Sequence, residues 1–246
     1  MKYSIMFSSA GIGETYLNEI GFECVVANEL ERKRADFHKH LYPNSHMIYG
    51  DICDTTNFND FIEKSIEINV QYLSATPPCQ VFRLSGKNKN HEQMKGDQRN
   101  FLIFKVFDAI DIIRPNYVLI ENVPRFLKMN YPYKGDLYNI IDLLKERYSQ
   151  EYNVDYDILN SMDYGIPQSR KRTFIKIYKK DLNWEWPMKS EKTITVEEAI
   201  GHLPSIESGE MSNYRWHFGR KHTSEHILWM KHAPTGQSAF KNDIHY

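Results

Sequence analysis

The sequence has little cysteine, no long apolar run and almost no net charge. Its three cysteines, Cys24, Cys53 and Cys79, are far apart and form no Cys-x-x-Cys pair, which argues against a disulfide framework and a cysteine-based zinc site. No apolar stretch approaches the roughly 18 residues of a membrane span. The N-terminal residues are interrupted too early for a secretory signal. We therefore expect a protein of a reducing compartment, with no membrane segment and no metal.

Length, apolar content and charge balance narrow the choice further. The 246 residues, 41% of them hydrophobic, suit one large domain, or one domain and part of another. Lys and Arg number 31 against 32 Asp and Glu, for a net charge of -1. Any polyanionic partner must therefore be held by a local basic patch, because the chain has no strong overall field.

Short apolar strands alternate with amphipathic helices along the first 180 residues, which predicts an α/β fold. This alternation is typical of a parallel, Rossmann-like sheet with helices on both faces. After about residue 185 the periodicity weakens, so we predict a domain of residues 1–185 and an incomplete second domain of residues 186–246. The predicted strands are 4–7, 23–27, 47–49, a run from 72, 117–120, 154–159 and 173–178, and the helices are 13–20, 32–41, 58–68, 99–113, 137–148, 197–202 and 224–231.

The most informative stretch is the apolar run from Tyr72 that ends in Pro77-Pro78-Cys79. Two prolines cannot continue a sheet ladder, so the strand must stop there and turn stiffly. Ligands of open α/β sheets bind at this end of the strands. Cys79 is therefore a candidate nucleophile, although a Pro-Pro-Cys taken alone favours a passive cysteine in a loop, so the assignment depends on the rest of the chain.

A second group of residues is typical of a nucleoside site. A Gly-x-Gly turn follows the first strand, but the third glycine of a dinucleotide fingerprint falls on Tyr16, where a pyrophosphate could not approach closely. Acidic residues end the next two strands, where they can meet ribose hydroxyls and an adenine amino group. This pattern favours S-adenosylmethionine over NAD, and its members are Phe7, Gly11, Gly13, Glu29 and Asp51.

A third group follows the later strands. Glu121 ends a fully apolar strand, where partial desolvation would raise its pKa and let it share a proton. Gln168, Arg170 and Arg172 precede the last strand at alternate positions, so we expect them on one face, able to grip phosphates or a carbonyl oxygen. The alternatives are a solvated strand end for Glu121 and an ordinary basic edge for the arginines.

In this order and spacing, these motifs resemble the DNA cytosine-C5 methyltransferase family over about residues 1 to 180. The motifs that carry the resemblance are Phe7 with Gly11-Ile12-Gly13, Glu29, Gly50-Asp51-Ile52, Pro77-Pro78-Cys79-Gln80, Glu121-Asn122-Val123 and Gln168-x-Arg170-x-Arg172. The sequence departs from the family pattern at Glu14, where many relatives have glycine, and at Ser8-Ser9-Ala10.

The resemblance implies roles for individual residues. Cys79 would attack carbon-6 of a flipped-out cytosine, Glu121 would protonate or hydrogen-bond ring nitrogen 3, and Arg172 would contact the exocyclic oxygen. Arg170 would support the catalytic loop or the DNA backbone. S-adenosyl-L-methionine would lie against Phe7, Gly11, Gly13, Glu29, Asp51, Ile52, Pro78 and Leu102, and DNA against Gln80, Ser85, Lys87, Lys89 and Gln168.

The same resemblance implies methylation of duplex DNA in a restriction-modification or phage modification system, in the bacterial or phage-infected cytoplasm. The target-recognition region of the family is incomplete in residues 186–246, so we expect no activity from this chain alone. Either a companion chain carries the rest, or the sequence is a cut part of a longer protein. Two alternatives remain open, which are methylation of tRNA and a non-catalytic DNA-binding relative. His222 and His226 also fit a short zinc-protease signature, but no third ligand is indicated.

Overall fold

The computed structural model describes residues 1–78, 101–234 and 236–238. Their strands are β1 Lys2–Met6, β2 Glu23–Glu29, β3 His46–Tyr49, β4 Tyr72–Ala75, β5 Tyr117–Asn122, β6 Asn130–Tyr133, β7 Asp136–Asn139, β8 Tyr152–Asn160 and β9 Lys171–Lys179. Seven of them form one sheet in the order β3-β2-β1-β4-β5-β9-β8, while β6 and β7 form a separate hairpin. Strands β1 to β5 pair in parallel, and β9 is antiparallel to both β5 and β8. The predicted α/β fold with a mostly parallel sheet is confirmed.

Helices cover both faces of this sheet. The α-helices are α1 Arg32–Leu41, α2 Thr55–Glu67, α3 Leu102–Ile113, α4 Ile140–Tyr148, α5 Val196–Ile200 and α6 Ser224–Lys231. Side chains at their N-termini explain where several of them begin: Asp54 accepts hydrogen bonds from two amides of α2, and Thr195 forms a capping box with Glu198 on α5. None of the helices in the described ranges is long and apolar enough to cross a membrane.

The order of the strands indicates where in the sheet a ligand would bind. The chain runs outward from β1 to β2 and β3, and then crosses back to add β4 and β5 on the other side of β1. The connections that leave the carboxyl ends of β1 and β4 therefore lead away in opposite directions, at the point where the direction of winding reverses. Open α/β sheets bind their ligands in the crevice at this point.

Two predicted helices differ from the structure. The segment after Gly11 forms two 3-10 turns, Ile12–Glu14 and Asn18–Ile20, instead of one helix to residue 20. An amphipathic helix would bury its apolar stripe, yet Ile12 and Ile20 are exposed here and Glu14 is buried instead. Gly21 still ends the segment in the left-handed region, as predicted.

The other difference is the β6–β7 hairpin, which takes up residues 137–139 of the predicted helix 137–148. Lys134 and Gly135 both have positive φ, at 50° and 91°, which is the conformation of a tight two-residue hairpin turn. Asn139 then caps α4 by accepting from the Ile141 amide. The Lys-Gly pair between two Tyr-containing runs was the sequence signal for this turn.

Beyond β9 the chain packs back on the sheet around a buried lysine. Lys176 is 2% exposed, and its Nζ donates to the carbonyl of Trp184 at 2.6 Å. Its ammonium lies 3.8 Å from the ring centroid of Trp186, whose Nε1 donates to Asp155. Burial lowers the pKa of Lys176, although Asp155 opposes this effect. These contacts join residues up to 186 to the sheet; the domain boundary near 185 stays a prediction.

A buried polar pair lies between β2, α1 and the first turn. Glu14 is 6% and His38 0% exposed, and Glu14 Oε2 is 3.7 Å from His38 Nε2, longer than a hydrogen bond. Burial raises the pKa of Glu14 to about 7 and lowers the pKa of His38 to about 4. The ionisable neighbours are Lys39 on α1 and the buried Tyr3, Cys24, Tyr42 and Tyr72. Near neutral pH, His38 is therefore uncharged and Glu14 is partly protonated.

These two pKa values have opposite effects on stability. Unfolding lets His38 take up a proton below about pH 6.5, so its contribution rises with pH between about 4 and 6.5. Unfolding lets Glu14 lose a proton above about pH 4.5, so its contribution falls as pH rises from about 4.5 to 7. In the wild-type protein the two contributions largely offset each other in the shared range.

We predict that in Glu14→Gln only the His38 contribution to the pH dependence of stability remains, because glutamine does not titrate. The free energy of unfolding should then rise with pH between 5 and 6 more steeply than in the wild type, by up to about 1.4 kcal/mol per pH unit. Urea unfolding at several pH values measures this slope. Glu19→Gln, on the same segment but exposed, is the control, and equal slopes for Glu14→Gln and the wild type would contradict the prediction.

Candidate active site

The carboxyl ends of β1, β4 and β5 are joined by side-chain hydrogen bonds. Thr76 follows β4, and its Oγ1 donates to the carbonyl of Phe7 at 2.8 Å. Asn122 ends β5, is 5% exposed, and donates through Nδ2 to the carbonyl of Pro77 at 3.0 Å. Pro77 is thus held from the β5 side and its neighbour Thr76 from the β1 side. Because adjacent strands are about 4.8 Å apart, these three strand ends form one continuous edge.

The predicted nucleophile lies outside the described residues. Pro78 is the last residue described before the gap and is partly buried, while Pro77 is buried. Cys79 and the predicted DNA contacts Gln80, Ser85, Lys87 and Lys89 fall in residues 79–100, outside the described ranges. Their assignments remain predictions. What the structure gives is the anchored peptide that leads to Cys79.

Glu121 and Arg172 meet on neighbouring strands. Arg172 Nε is 2.9 Å from Glu121 Oε1, with side chains 24% and 28% exposed. Burial raises the pKa of Glu121, whereas the positive charges of Arg172 and Arg170 act in the opposite direction. The carboxyl group is therefore a weaker acid than an exposed glutamate and is bound to a permanent cation, an arrangement suited to sharing a proton.

The expected alternation of Gln168, Arg170 and Arg172 on one strand face is wrong. Strand β9 begins only at Lys171, so a strand-face relation cannot extend back to the other two residues. The backbone N–H of Gln168 donates to the Ile166 carbonyl, and the backbone carbonyl of Gln168 accepts from the Ser161 hydroxyl. These bonds are those of a turn. The Arg170 amide donates to Asn160 Oδ1, and the charge of Arg170 still acts on Glu121.

At the other end of the edge, the turn after β1 lies against Glu29. This carboxylate is 7% exposed, and it accepts the Ser9 amide at 2.7 Å and the Glu31 amide at 2.9 Å. Each carboxylate oxygen of Glu29 has a second lone pair, so it can accept one further hydrogen bond from a hydroxyl group. That capacity fits the paired hydroxyls of a ribose.

The remaining predicted cofactor residues lie along the same strand ends, though in different ways. Asp51 is exposed, and its carboxylate accepts the Cys53 amide, whereas Ile52 is 2% exposed and belongs to the core. Phe7 and Leu102 are partly buried and pack on that core. A Cβ on Gly13 would meet nothing within 4 Å, whereas one on Gly11 would clash with neighbouring rings. Only Gly11, of the two glycines, is required by the packing.

The strand ends also depend on residues to which the sequence assigned no role. Asn28 is 1% exposed and donates through Nδ2 to the carbonyls of Ile48 and Gly50, which joins the ends of β2 and β3. Thr76 and Asn122 join β1, β4 and β5 in the same way. The available signal was an asparagine at the end of an otherwise apolar strand, because buried amides must be hydrogen-bonded.

Comparison with known proteins agrees with this geometry. The model of the family described as C-5 cytosine-specific DNA methylase matches residues 1–246. The type II methyltransferase M1.HgaI of Avibacterium volantium is 46% identical over 250 residues, covering 100% of this chain and 70% of that protein. The type II methyltransferase M1.HphI of Haemophilus parahaemolyticus is 28% identical, covering 99% of this chain and 63% of that protein. The chain thus spans about two thirds of these relatives, and they lend no support to a companion chain.

Solved structures show the same fold. A putative DNA modification methyltransferase encoded in an E. coli prophage superposes with a TM-score of 0.64 at 21% identity, over 98% of this chain and 67% of that chain. A mutant of Spodoptera frugiperda DNMT2 superposes with a TM-score of 0.55 at 22% identity, over 79% of this chain and 54% of that one. At these identities the similarity concerns the fold.

The Glu121–Arg172 pair yields a direct electrostatic prediction. Arg172→Met should raise the pKa of Glu121 above its wild-type value, because a cation and a hydrogen bond that favour the carboxylate are lost. Carbon-13 NMR titration of labelled glutamate carboxyls measures this pKa. Lys171→Met, at the exposed neighbouring position, is the control; a Glu121 pKa that stays unchanged or falls in Arg172→Met would contradict the prediction.

Proposed function

Since this chain belongs to the C-5 cytosine-specific DNA methylase family, we propose that it methylates carbon-5 of cytosine in duplex DNA. S-adenosyl-L-methionine supplies the methyl group as an activated sulfonium. The observation that supports this chemistry best is the Glu121–Arg172 pair beside the anchored peptide that leads to Cys79. The biological setting we propose is a type II modification system acting on DNA in a bacterial or phage-infected cytoplasm.

Cytosine needs two groups to react at carbon-5. The Cys79 thiolate forms a bond between Sγ and carbon-6, and Glu121 in its protonated form donates to ring nitrogen 3, so that carbon-5 gains the electron density of an enamine. Carbon-5 would then take the methyl group as the sulfur–methyl bond of the sulfonium breaks, which leaves a neutral thioether. Loss of the carbon-5 proton to water, cleavage of the Sγ–carbon-6 bond and return of the nitrogen-3 proton to Glu121 would restore the aromatic ring, the Cys79 thiolate and the protonated carboxyl group.

The raised pKa of Glu121 serves the first step. A protonated carboxyl can donate to nitrogen 3, and burial increases the protonated fraction at neutral pH. Arg172 carries five N–H donors in a rigid fork, so a guanidinium that binds Glu121 through Nε still presents donors to the exocyclic oxygen of the base. Arg170 supports the same carboxyl by charge.

Carbon-6 is inaccessible in a stacked duplex, so the target base must be flipped out of the helix. We propose that Gln80, Ser85, Lys87, Lys89 and Gln168 contact the DNA. We propose residues 1–185 as the catalytic domain and residues 186–246 as the start of the target-recognition region. The adenosine part of the cofactor would lie along Phe7, the Gly11 turn, Glu29 and Asp51, with Gly13, Ile52, Pro78 and Leu102 at its margins.

The decisive variant is Cys79→Ser. It should reduce transfer of tritiated methyl groups to DNA by at least about a thousandfold, because a hydroxyl is a far weaker soft nucleophile than a thiolate, and it should leave cofactor affinity unchanged by calorimetry. Cys53→Ala, at an exposed cysteine, is the matched control. Unchanged turnover in Cys79→Ser would refute the assignment.

A duplex that contains 5-fluorocytosine tests the covalent step separately. The fluorine cannot leave as a cation, so wild-type protein with cofactor should remain bonded to the DNA and show the added mass. Methyl transfer to tRNA but not to DNA would instead favour the alternative substrate. Absence of both adduct and transfer, with cofactor bound, would favour a non-catalytic relative, while turnover by the purified chain alone would contradict the expected companion chain.

A further inference from the structure

The turn that follows β1 has a strained backbone. Phe7 and Ser9 have φ values of 62° and 51°, and Gly11 has 74°. Residues other than glycine rarely adopt a positive φ, and they keep this conformation only where surrounding contacts stabilise it. The turn also supplies the Ser9 amide to Glu29, so its position determines how that carboxylate is presented.

Tyr42 stabilises this turn through a hydrogen bond. It lies at the end of α1, is 7% exposed, and its hydroxyl donates to the carbonyl of Gly11 at 2.9 Å. Its own carbonyl accepts from the amide and the hydroxyl of Ser45. Burial raises the pKa of Tyr42 to about 12, so the hydroxyl stays protonated and remains a donor at neutral pH.

Aromatic packing fixes the same contact. The His38 ring lies 4.7 Å from the Tyr42 ring, centroid to centroid. A Cβ built on Gly11 would be 2.6 Å from Tyr42 Cε2 and 2.8 Å from His38 Cδ2. The two rings therefore touch the α-carbon of Gly11 and prevent the turn from moving inward. Glu14, three residues further on, is also buried beside His38.

We propose that Tyr42 is a positioning residue for S-adenosyl-L-methionine binding: its hydrogen bond to Gly11 keeps the turn in the conformation that offers Phe7, the Gly11 backbone and Glu29 to the adenosine. This inference rests on the proposed function. Because Tyr42 is buried, its role in this proposal is to hold the turn, and direct contact with the cofactor is not required. Its effect passes from α1 to Gly11, and from the turn through the Ser9 amide to Glu29.

Tyr42→Phe removes one hydroxyl and keeps the ring that packs on His38, so the variant should fold. It leaves the Gly11 carbonyl without this donor, and it should weaken cofactor binding roughly five- to tenfold. The dissociation constant is measured by calorimetry, and KM and kcat by methyl transfer. We expect KM for the cofactor to rise in step with the dissociation constant, and kcat at saturating cofactor to stay within about twofold.

Hydrogen exchange distinguishes positioning from general destabilisation. In Tyr42→Phe the amides of residues 8–14 should exchange faster than in the wild type, and saturating cofactor should restore most of their protection. Tyr16→Phe is the matched control, because Tyr16 belongs to the same segment but is 74% exposed. It should bind the cofactor as the wild type does.

The outcomes separate this inference from the proposed function. If the wild-type protein binds the cofactor and Tyr42→Phe binds it equally well, Tyr42 has no positioning role. A lower melting temperature with unchanged cofactor affinity would likewise reduce Tyr42 to a structural residue. If the wild-type protein itself fails to bind S-adenosyl-L-methionine, the proposed function falls, whatever the variant does.

Discussion

Two hydrogen bonds at the end of β4 hold the candidate site together. Prolines have no N–H group, so the Pro77-Pro78 peptide can be fixed only through its carbonyls and its neighbours. Asn122 donates to the Pro77 carbonyl from β5, and Thr76 donates to the Phe7 carbonyl of the β1 turn. The strand that leads to the proposed nucleophile is thereby tied to the proposed acid on one side and to the proposed cofactor edge on the other.

Among the residues that the structure describes, burial raises the pKa of Glu14 and of Glu121, with different consequences. Glu121 is partly exposed and lies against Arg172, so its proton can be exchanged and shared with a ligand. Glu14 is buried beside an uncharged His38, so its role is confined to stabilising the turn after β1. The same physical effect thus gives a reactive group where a cation and an opening are near, and a structural group where they are not.

The turn after β1 shows how a departure from the family pattern is accommodated. Ser9 takes a positive φ of 51°, which costs a non-glycine residue roughly 1 kcal/mol or more. Its amide donates to Glu29 and the carbonyl of Gly11 accepts from Tyr42, so neighbouring contacts offset that cost. The conformation of the proposed cofactor edge therefore depends on α1 as well as on Gly11.

The sequence by itself determined the α/β class, helix α1 and the approximate positions of the strands in the main sheet, because periodicity, Pro and Gly act locally. The order of strands and the pairing of Glu121 with Arg172 were decided by the tertiary structure, since β9 inserts antiparallel beside β5. So were the 3-10 turns after Gly11 and the hydrogen bond from Tyr42 to Gly11. Those depend on which side chains meet across 31 residues of chain, and local pattern carries no information about such distant contacts.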